Sequence, residues 1–178
     1  VLLYAPTFRE YEKNSARECI FAPPVSWARW QEALGEDTVI LVRAHYEALQ
    51  AMNLEGEERV RDVSAYPSLN ELMIASDILI SDYSSVFFDY SILEKPMICF
   101  AYDYDQYQKE RGMYFDIRRW LDWGADQEAV LELIQKLLDR EFLEKSVEKT
   151  RAFKARFVES CGHGTEAVLE RIHKNFFY

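Results

Sequence analysis

Cysteine is scarce in this sequence, and its spacing excludes one common class of site. Cys19, Cys99 and Cys161 are the three cysteines, they lie far apart, and no CxxC pair is present. An odd, scattered set of this kind argues against a zinc site and favours a reducing compartment, so we expect a cytoplasmic location. No other metal-ligand spacing is visible, and we expect no metal.

Basic residues are outnumbered by acidic ones. Lysine and arginine number 21 against 31 aspartates and glutamates, which gives a formal net charge of −10 at pH 7. General nucleic-acid binding needs a broad basic surface, so this balance argues against a nucleic-acid partner. If the ligand is a phosphate compound, a few local hydrogen-bond donors must bind it despite the repulsion from the protein's net negative charge.

The sequence begins with a short apolar run, VLLYAPTF, and without methionine. That run is too short for a signal peptide or a membrane helix, and no basic leader precedes it. The abrupt, strand-like start suggests a fragment of a longer protein. No internal repeat, low-complexity tract or linker interrupts the 178 residues, so we expect residues 1–178 to form one domain.

Short apolar runs alternate with helical patterns along the chain. A run without polar alternation suits a parallel strand that is covered on both faces. A polar tip follows each run, and the sequence therefore predicts a Rossmann-like α/β domain with a parallel sheet of about five or six strands. The expected strands are residues 1–5, 38–42, 59–62, 78–80 and 97–101, with an irregular or strand-like piece at residues 111–116.

The helical patterns have recognisable starts and stops. Ser26 is a candidate N-cap, Gly35 ends the first helix, and Lys95-Pro96 ends the helix after the fourth strand. Apolar residues that recur at helical spacing predict two helices towards the C-terminus and a last one after the Gly162–Gly164 break. The expected helices cover residues 26–34, 46–52, 70–75, 86–93, 126–138 and 142–158.

The chain is organised around SDILISDYSSVFFDYSILEKP, residues 76–96, which predicts a strand, a tight polar turn and a helix. A helix N-terminus exposes unpaired N–H groups and a partial positive charge, and Ser84 and Ser85 add hydroxyl donors there. We therefore consider a phosphate or diphosphate site at this turn. The alternative is a plain capping turn, which the local pattern alone favours.

Four acidic or aromatic side chains in or near this turn have competing interpretations. Asp82 could contact a ligand hydroxyl, but we favour a role as helix cap. Tyr83 could stack on a base, as could Tyr102, but packing is favoured for either ring. Asp89 lies among aromatic residues, so we expect a buried, hydrogen-bonded structural carboxylate.

Three predicted strand tips carry groups that bind phosphate: Arg9, the pair Arg43 and His45, and the serine turn. The tips of parallel strands share one edge of the sheet, and each of these groups donates to phosphate oxygens. Alternation along the strand would place Arg43 and His45 on the same side. The alternatives are a surface ion pair for Arg9 and a structural role for His45.

Several motifs resemble the CDP-glycerol glycerophosphotransferase family, the teichoic-acid and capsule polymerases and their ribitol-phosphate relatives. The matching stretches are YAPTFR, RAH, DVSAYPSLNELMIASDILISDYSSVFFDYSILEKPMICFAYD and RGMYFD, which together span nearly the whole chain. In that family the fold is of the GT-B type, with two Rossmann-like halves. This chain looks like the C-terminal half, which holds the activated donor.

The resemblance implies a reaction and a set of site residues. A hydroxyl of an anionic polyol-phosphate polymer would attack the β-phosphate of CDP-glycerol or CDP-ribitol, and CMP would leave. His45 matches the family's motif histidine and would contact the diphosphate and assist the leaving group. Ser84 and Ser85 match its serine turn, and Arg43 and Arg9 are candidates for added positive charge. The resemblance implies no metal and no cofactor.

The resemblance also implies that this chain works with other components. The family's second catalytic histidine lies in the N-terminal half, so this fragment should bind donor but turn over poorly or not at all. Peripheral contact with the inner face of the membrane is expected by resemblance only. The family often has proline where Tyr46 stands, and usually an acidic stretch where residues 161–164 read CGHG. The loss of proline at Tyr46 changes the expected loop geometry there, and the CGHG sequence argues against donor contacts from residues 161–164.

Two other functions remain open from the sequence. One is a GT-B glycosyltransferase that uses a nucleotide sugar at the same diphosphate site. The other is a non-catalytic nucleotide-binding module.

The predicted helix over 142–158 carries several basic residues: Lys145, Lys149, Arg151, Lys154 and Arg156. These basic residues could contact anionic lipid or polymer, but interleaved acidic residues favour a solvated face of mixed charge.

Overall fold

A computed structural model of the protein describes residues 1–7, 9, 22–44, 52, 54, 58–159 and 161–176. Within these residues six strands form one sheet in the order β3-β2-β1-β4-β5-β6, and every neighbouring pair is parallel. The predicted Rossmann-like α/β class is confirmed. The strands are β1 (Leu2–Tyr4), β2 (Ile40–Val42), β3 (Val60–Asp62), β4 (Ile78–Ser81), β5 (Met97–Phe100) and β6 (Asp122–Gly124).

Helices cover both faces of the sheet. In chain order the helices are α1 (Trp27–Leu34), α2 (Leu69–Ala75), α3 (Val86–Ser91), α4 (Tyr104–Glu110), α5 (Gln127–Lys136), α6 (Arg140–Phe157) and α7 (Gly164–Phe176), and a 3-10 turn spans Ile117–Arg119. None of the described helices is long and apolar enough to cross a membrane.

Side chains at the helix starts explain several boundaries. Ser26 accepts a hydrogen bond from the backbone N–H of Arg29, and Asp126 accepts one from Ala129, so each satisfies an otherwise unpaired N–H group. The predicted helices over 26–34, 70–75, 126–138 and 142–158 are confirmed to within a few residues. The predicted helix over 46–52 falls almost entirely outside the described residues.

Apolar side chains on both faces of the central strands make two core clusters. On one face Tyr4 meets Trp27 and Trp30 edge to face, with ring centroids 5.7 and 5.9 Å apart. On the other face α6 places Phe153, which has no exposed surface, against Phe88 at 5.3 Å. Burial of large aromatic surface on both sides stabilises the sheet between them.

Strand β6 was not predicted, and of the two possibilities for residues 111–116 the structure shows the irregular one. That segment leads into the 3-10 turn instead, and β6 follows as the edge strand beside β5. Its sequence is DWG, with Asp122 and Gly124 buried and Trp123 half-exposed. An edge strand this short has no run of apolar residues, so hydrophobic periodicity does not reveal it.

Asp89 is exposed, which corrects the prediction of a buried carboxylate. Helix α3 turns Val86, Phe87 and Tyr90 into the core and leaves Asp89 on the outer face. The aromatic neighbours in sequence therefore lie on a different side of the helix.

The basic residues of α6 are mostly paired with acidic ones. Lys145 pairs with Glu141, Lys149 with Asp122, and both Arg151 and Lys154 with Glu94. These ion pairs support the interpretation of α6 as a solvated face of mixed charge, rather than as a continuous basic patch.

Candidate active site

The candidate site lies where the order of the strands reverses direction. Strands β1 and β4 are neighbours at the centre of the sheet, and the chain moves outward through β2 in one direction and β5 in the other. In open α/β sheets ligands bind in the crevice outside the carboxyl ends of the strands at this point. The loops that begin at Ala5 and at Asp82 meet at this point, and a cleft opens between the second of these loops and the segment that follows β5.

The serine turn joins β4 to α3 at this crevice. Ser84 is half-buried, and its Oγ accepts a hydrogen bond from the backbone N–H of Val86 at 3.2 Å. Ser85 occupies the N-cap position, but its side chain makes no capping hydrogen bond and is exposed. Ser84 therefore closes the turn, whereas the Ser85 hydroxyl is accessible at the surface.

Asp82 does not cap the helix, which corrects the favoured prediction. Both carboxylate oxygens accept from the backbone N–H of Thr7 at 3.0 Å, and Oδ1 also accepts from the N–H of Tyr83 at 2.8 Å. The residue is buried, with 1% exposure. Its carboxylate ties the loop after β1 to the loop after β4, and it has almost no surface to offer a ligand.

Arg9 is fully buried, so it forms no surface ion pair. Its Nε donates to Asp103 at 2.7 Å, and Nη2 lies 3.0 Å from Asp82 Oδ2 and donates to the Tyr102 hydroxyl at 2.9 Å. Burial lowers the pKa of Arg9, but the hydrogen bond to Asp103 and the charge of Asp82 outweigh it and leave the pKa above its ordinary value. The guanidinium is charged and engaged inside the protein.

Arg43 lies at the carboxyl end of β2, and its guanidinium is also hydrogen-bonded within the protein. Nη1 donates to the carbonyl oxygens of Val63, Ser64 and Tyr66, and the N–H of Arg43 donates to the carbonyl of Tyr4 at 2.8 Å. Arg43 therefore fastens the loop after β3 to the tip of β2, and its side chain is half-buried.

His45 and Tyr46 lie outside the described residues. The predictions that His45 contacts the diphosphate and that it shares a side with Arg43 therefore stay predictions.

A cleft of about 260 Å³ opens beside the serine turn. One wall is residues 83–85 with Phe88, and the other is residues 112–115 of the RGMYFD segment together with Tyr107 and Ile117. Its described lining carries hydroxyl and aromatic groups but no charged side chain: Tyr83, Ser84, Ser85, Phe88, Tyr107, Gly112, Met113, Tyr114, Phe115 and Ile117. An anion at this cleft needs backbone and hydroxyl donors or charges from neighbouring segments.

Two tyrosines form the aromatic side of the cleft. The rings of Tyr83 and Tyr107 are 4.3 Å apart at their centroids. Burial raises the pKa of Tyr83 well above its ordinary value, with the charge of Asp103 adding to the effect, so the phenol stays protonated at neutral pH. Tyr102 packs on Phe100 at 4.7 Å and accepts from Arg9, which supports packing over base stacking for that ring.

Sequence reasoning missed the residues of the second wall, Tyr107, Tyr114 and Phe115. The RGMYFD motif pointed to this segment through the resemblance, but no local pattern indicated a wall. Asp116 fixes the end of the segment, because its carboxylate accepts from the backbone N–H of Arg118 at 3.1 Å and caps the 3-10 turn.

Comparison with known proteins places this arrangement in context. The model of the family described as CDP-Glycerol:Poly(glycerophosphate) glycerophosphotransferase matches residues 1–174. A teichoic acid poly(glycerol phosphate) polymerase of Staphylococcus epidermidis is 37% identical over 98% of this chain and 25% of its own length. A teichoic acid glycerol-phosphate transferase of Staphylococcus aureus is 32% identical over 98% of this chain and 45% of its own length.

Solved structures of the wall teichoic acid polymerase TagF also match. One superposes with a TM-score of 0.78 at 35% identity, covering 98% of this chain and 43% of that one. A TagF variant soaked with CDPG superposes with a TM-score of 0.79 at 36% identity over the same shares. The predicted likeness to half of a GT-B enzyme is confirmed, and the chain spans less than half the length of these relatives.

Proposed function

Because this chain belongs to the CDP-glycerol:poly(glycerophosphate) glycerophosphotransferase family, we propose that it is the donor-binding half of a CDP-polyol phosphotransferase. The observation that carries the proposal is the cleft beside Ser84 and Ser85, which opens between the segments that follow β4 and β5. It combines hydroxyl donors with aromatic walls, which suits a nucleoside diphosphate better than a purely anionic ligand.

The reaction is the transfer of a polyol phosphate. A hydroxyl oxygen of the growing polyol-phosphate chain attacks the β-phosphorus of CDP-glycerol or CDP-ribitol, a new P–O bond forms, and the bond to the bridging oxygen breaks. CMP leaves with that oxygen, and the hydroxyl proton passes to a base. Such a reaction depends chiefly on positioning and on stabilising charge at the leaving group.

The residues of this chain take the following roles in the proposal. The Ser85 hydroxyl and the backbone at the start of α3 bind the diphosphate, and Ser84 holds the turn in shape. His45 contacts the same diphosphate and protonates or stabilises the departing CMP. Arg43 adds positive charge near the sheet edge, and Tyr83 forms part of the wall for the cytidine.

The rest of the machinery is proposed to lie outside this chain. Its relatives are more than twice as long, and we assign the acceptor site and the second catalytic histidine to an N-terminal half. This chain alone should bind donor with little or no turnover. We place the assembled enzyme in the cytoplasm, in peripheral contact with the membrane where the anionic polymer grows.

Calorimetric titration of the chain with CDP-glycerol, CDP-ribitol, UDP-glucose and CMP tests the proposal. We expect a CDP-polyol to bind more tightly than UDP-glucose, and His45→Ala to weaken that binding. His173→Ala is the matched control, since His173 is exposed on α7 and should leave the affinity unchanged.

The other outcomes are equally informative. Preference for UDP-glucose would contradict the proposal and favour a nucleotide-sugar transferase. If His45→Ala leaves the affinity for a CDP-polyol unchanged, His45 does not contact the donor, and a nucleotide-binding module is favoured. Binding of none of the four would contradict a donor site in this chain.

A further inference from the structure

Arg9 has no exposed surface, yet it lies at the centre of the strand tips that form the site. Its Nε and Nη2 donate to the two carboxylate oxygens of Asp103 at 2.7 and 3.0 Å, and Nη2 also lies 3.0 Å from Asp82 Oδ2. Arg9 follows β1, Asp82 follows β4 and Asp103 follows β5. One guanidinium therefore joins the tips of three adjacent strands.

Asp82 carries this connection into the serine turn. Its Oδ1 accepts from the N–H of Tyr83, the residue directly before Ser84, and its backbone carbonyl accepts from the Cys99 thiol at 3.1 Å. The start of the turn is thus held through both side chain and backbone. The direction in which Ser84 and Ser85 leave the strand depends on how Asp82 is oriented.

Arg9 also supports the aromatic wall of the cleft. Its guanidinium carbon lies 4.9 Å from the ring centroid of Tyr107 and 5.4 Å from that of Tyr83, within the range of a cation–π contact. Both rings line the cleft. The same buried cation therefore contacts the wall and, through Asp82, the turn.

We propose that Arg9 is a positioning residue for the donor site, which sets the serine turn and the Tyr83–Tyr107 wall without touching the donor. This inference rests on the proposed function and replaces the direct diphosphate contact expected for Arg9. The electrostatic reason is that the side chains of Asp82 and Asp103 are 2% and 14% exposed. Without the guanidinium the buried carboxylate of Asp82 and the largely buried one of Asp103 repel each other and lose their shared donor.

The test compares Arg9→Gln and Arg9→Lys with Lys149→Gln. Lys149 is a matched control, since it also pairs with a buried carboxylate, Asp122, but does so at β6 at the edge of the sheet. Arg9→Lys keeps the charge but loses the planar fork that serves two carboxylates at once. If Arg9→Gln fails to fold, the same measurements are made on Arg9→Lys.

Hydrogen–deuterium exchange of the unliganded chains is the first measurement. We expect amides of residues 83–86 and 107 to exchange about tenfold faster in Arg9→Gln, and to be unchanged in Lys149→Gln. Unchanged exchange at residues 83–86 in the Arg9 variants would overturn the proposal. This measurement needs no donor, so it decides the role of Arg9 even if the proposed function fails.

Calorimetric titration with CDP-glycerol is the second measurement. We expect about tenfold weaker binding for Arg9→Gln, an intermediate loss for Arg9→Lys, and no change for Lys149→Gln. Equal losses in Arg9→Gln and Lys149→Gln would reduce Arg9 to a general structural role. If the wild-type chain binds no CDP-glycerol, the proposed function is contradicted instead. The positioning role of Arg9 is then tested by hydrogen–deuterium exchange alone.

Discussion

Both carboxylate oxygens of Asp82 accept a hydrogen bond from the backbone N–H of Thr7, each at 3.0 Å. This contact joins loops that are 75 residues apart in sequence. The Ser81 hydroxyl reinforces it by donating to the carbonyl of Ala5 at 2.5 Å. The serine turn therefore leaves a strand tip that is fixed to its neighbour.

The two serines of the turn should respond differently to alanine. Ser85→Ala removes an exposed hydroxyl that makes no capping bond, so we expect donor binding to weaken by about 1 kcal/mol with little change in melting temperature. Ser84→Ala removes the acceptor for Val86 N–H, and we expect a loss of about 1 kcal/mol in stability. Calorimetric titration and thermal unfolding of both variants measure the difference. Unchanged CDP-glycerol affinity in Ser85→Ala would count against the turn as the diphosphate site.

Glycine at position 124 is required by close packing between β6 and α5. A Cβ there would lie 2.9 Å from the backbone nitrogen of Val130 and 3.0 Å from the Ala129 Cβ. We expect Gly124→Ala to destabilise the chain by about 1–3 kcal/mol in urea unfolding. Gly164→Ala is the control, because nothing lies within 4 Å of its added Cβ, and it should be neutral or slightly stabilising. Equal stability of the two variants would show that β6 and α5 do not pack this closely.

Stability at acidic pH should depend in part on Glu94. Hydrogen bonds from Arg151 and then Lys154 hold its pKa below the ordinary 4.5 in the folded chain. A depressed folded pKa stabilises the protein above pH 4.5, and the contribution is lost as the pH falls through the folded value. Glu94→Gln should therefore lower the melting temperature more at pH 6 than at pH 3, with a smaller difference in high salt. A difference that is the same at both pH values would contradict this ion pair.

Much of the fold was predictable because the central strands are covered on both faces. Strands β1, β4 and β5 are short and largely apolar runs, and each was predicted within a few residues. Strand β6 has one neighbour and a DWG sequence, so its pairing comes from tertiary contacts that no local pattern encodes.

The site was predicted less completely, for a related reason. The serine turn is a local signal, and the sequence located it. The role of Arg9 depends on Asp103, which lies 94 residues further along the chain, and a lone arginine after a strand is typical of a surface position. Asp82 precedes a helix and so resembled a cap, whereas its carboxylate is oriented by Thr7 and Arg9 from the opposite loop.

The central claim is that the donor binds in the cleft between the serine turn and the RGMYFD segment. Titration of isotope-labelled chain with CDP-glycerol, followed by backbone amide chemical shifts, tests it most directly. We expect the largest changes in residues 83–86 and 111–116, and only a weak response of the same residues to UDP-glucose. Saturable changes elsewhere, with both segments unaffected, would contradict it.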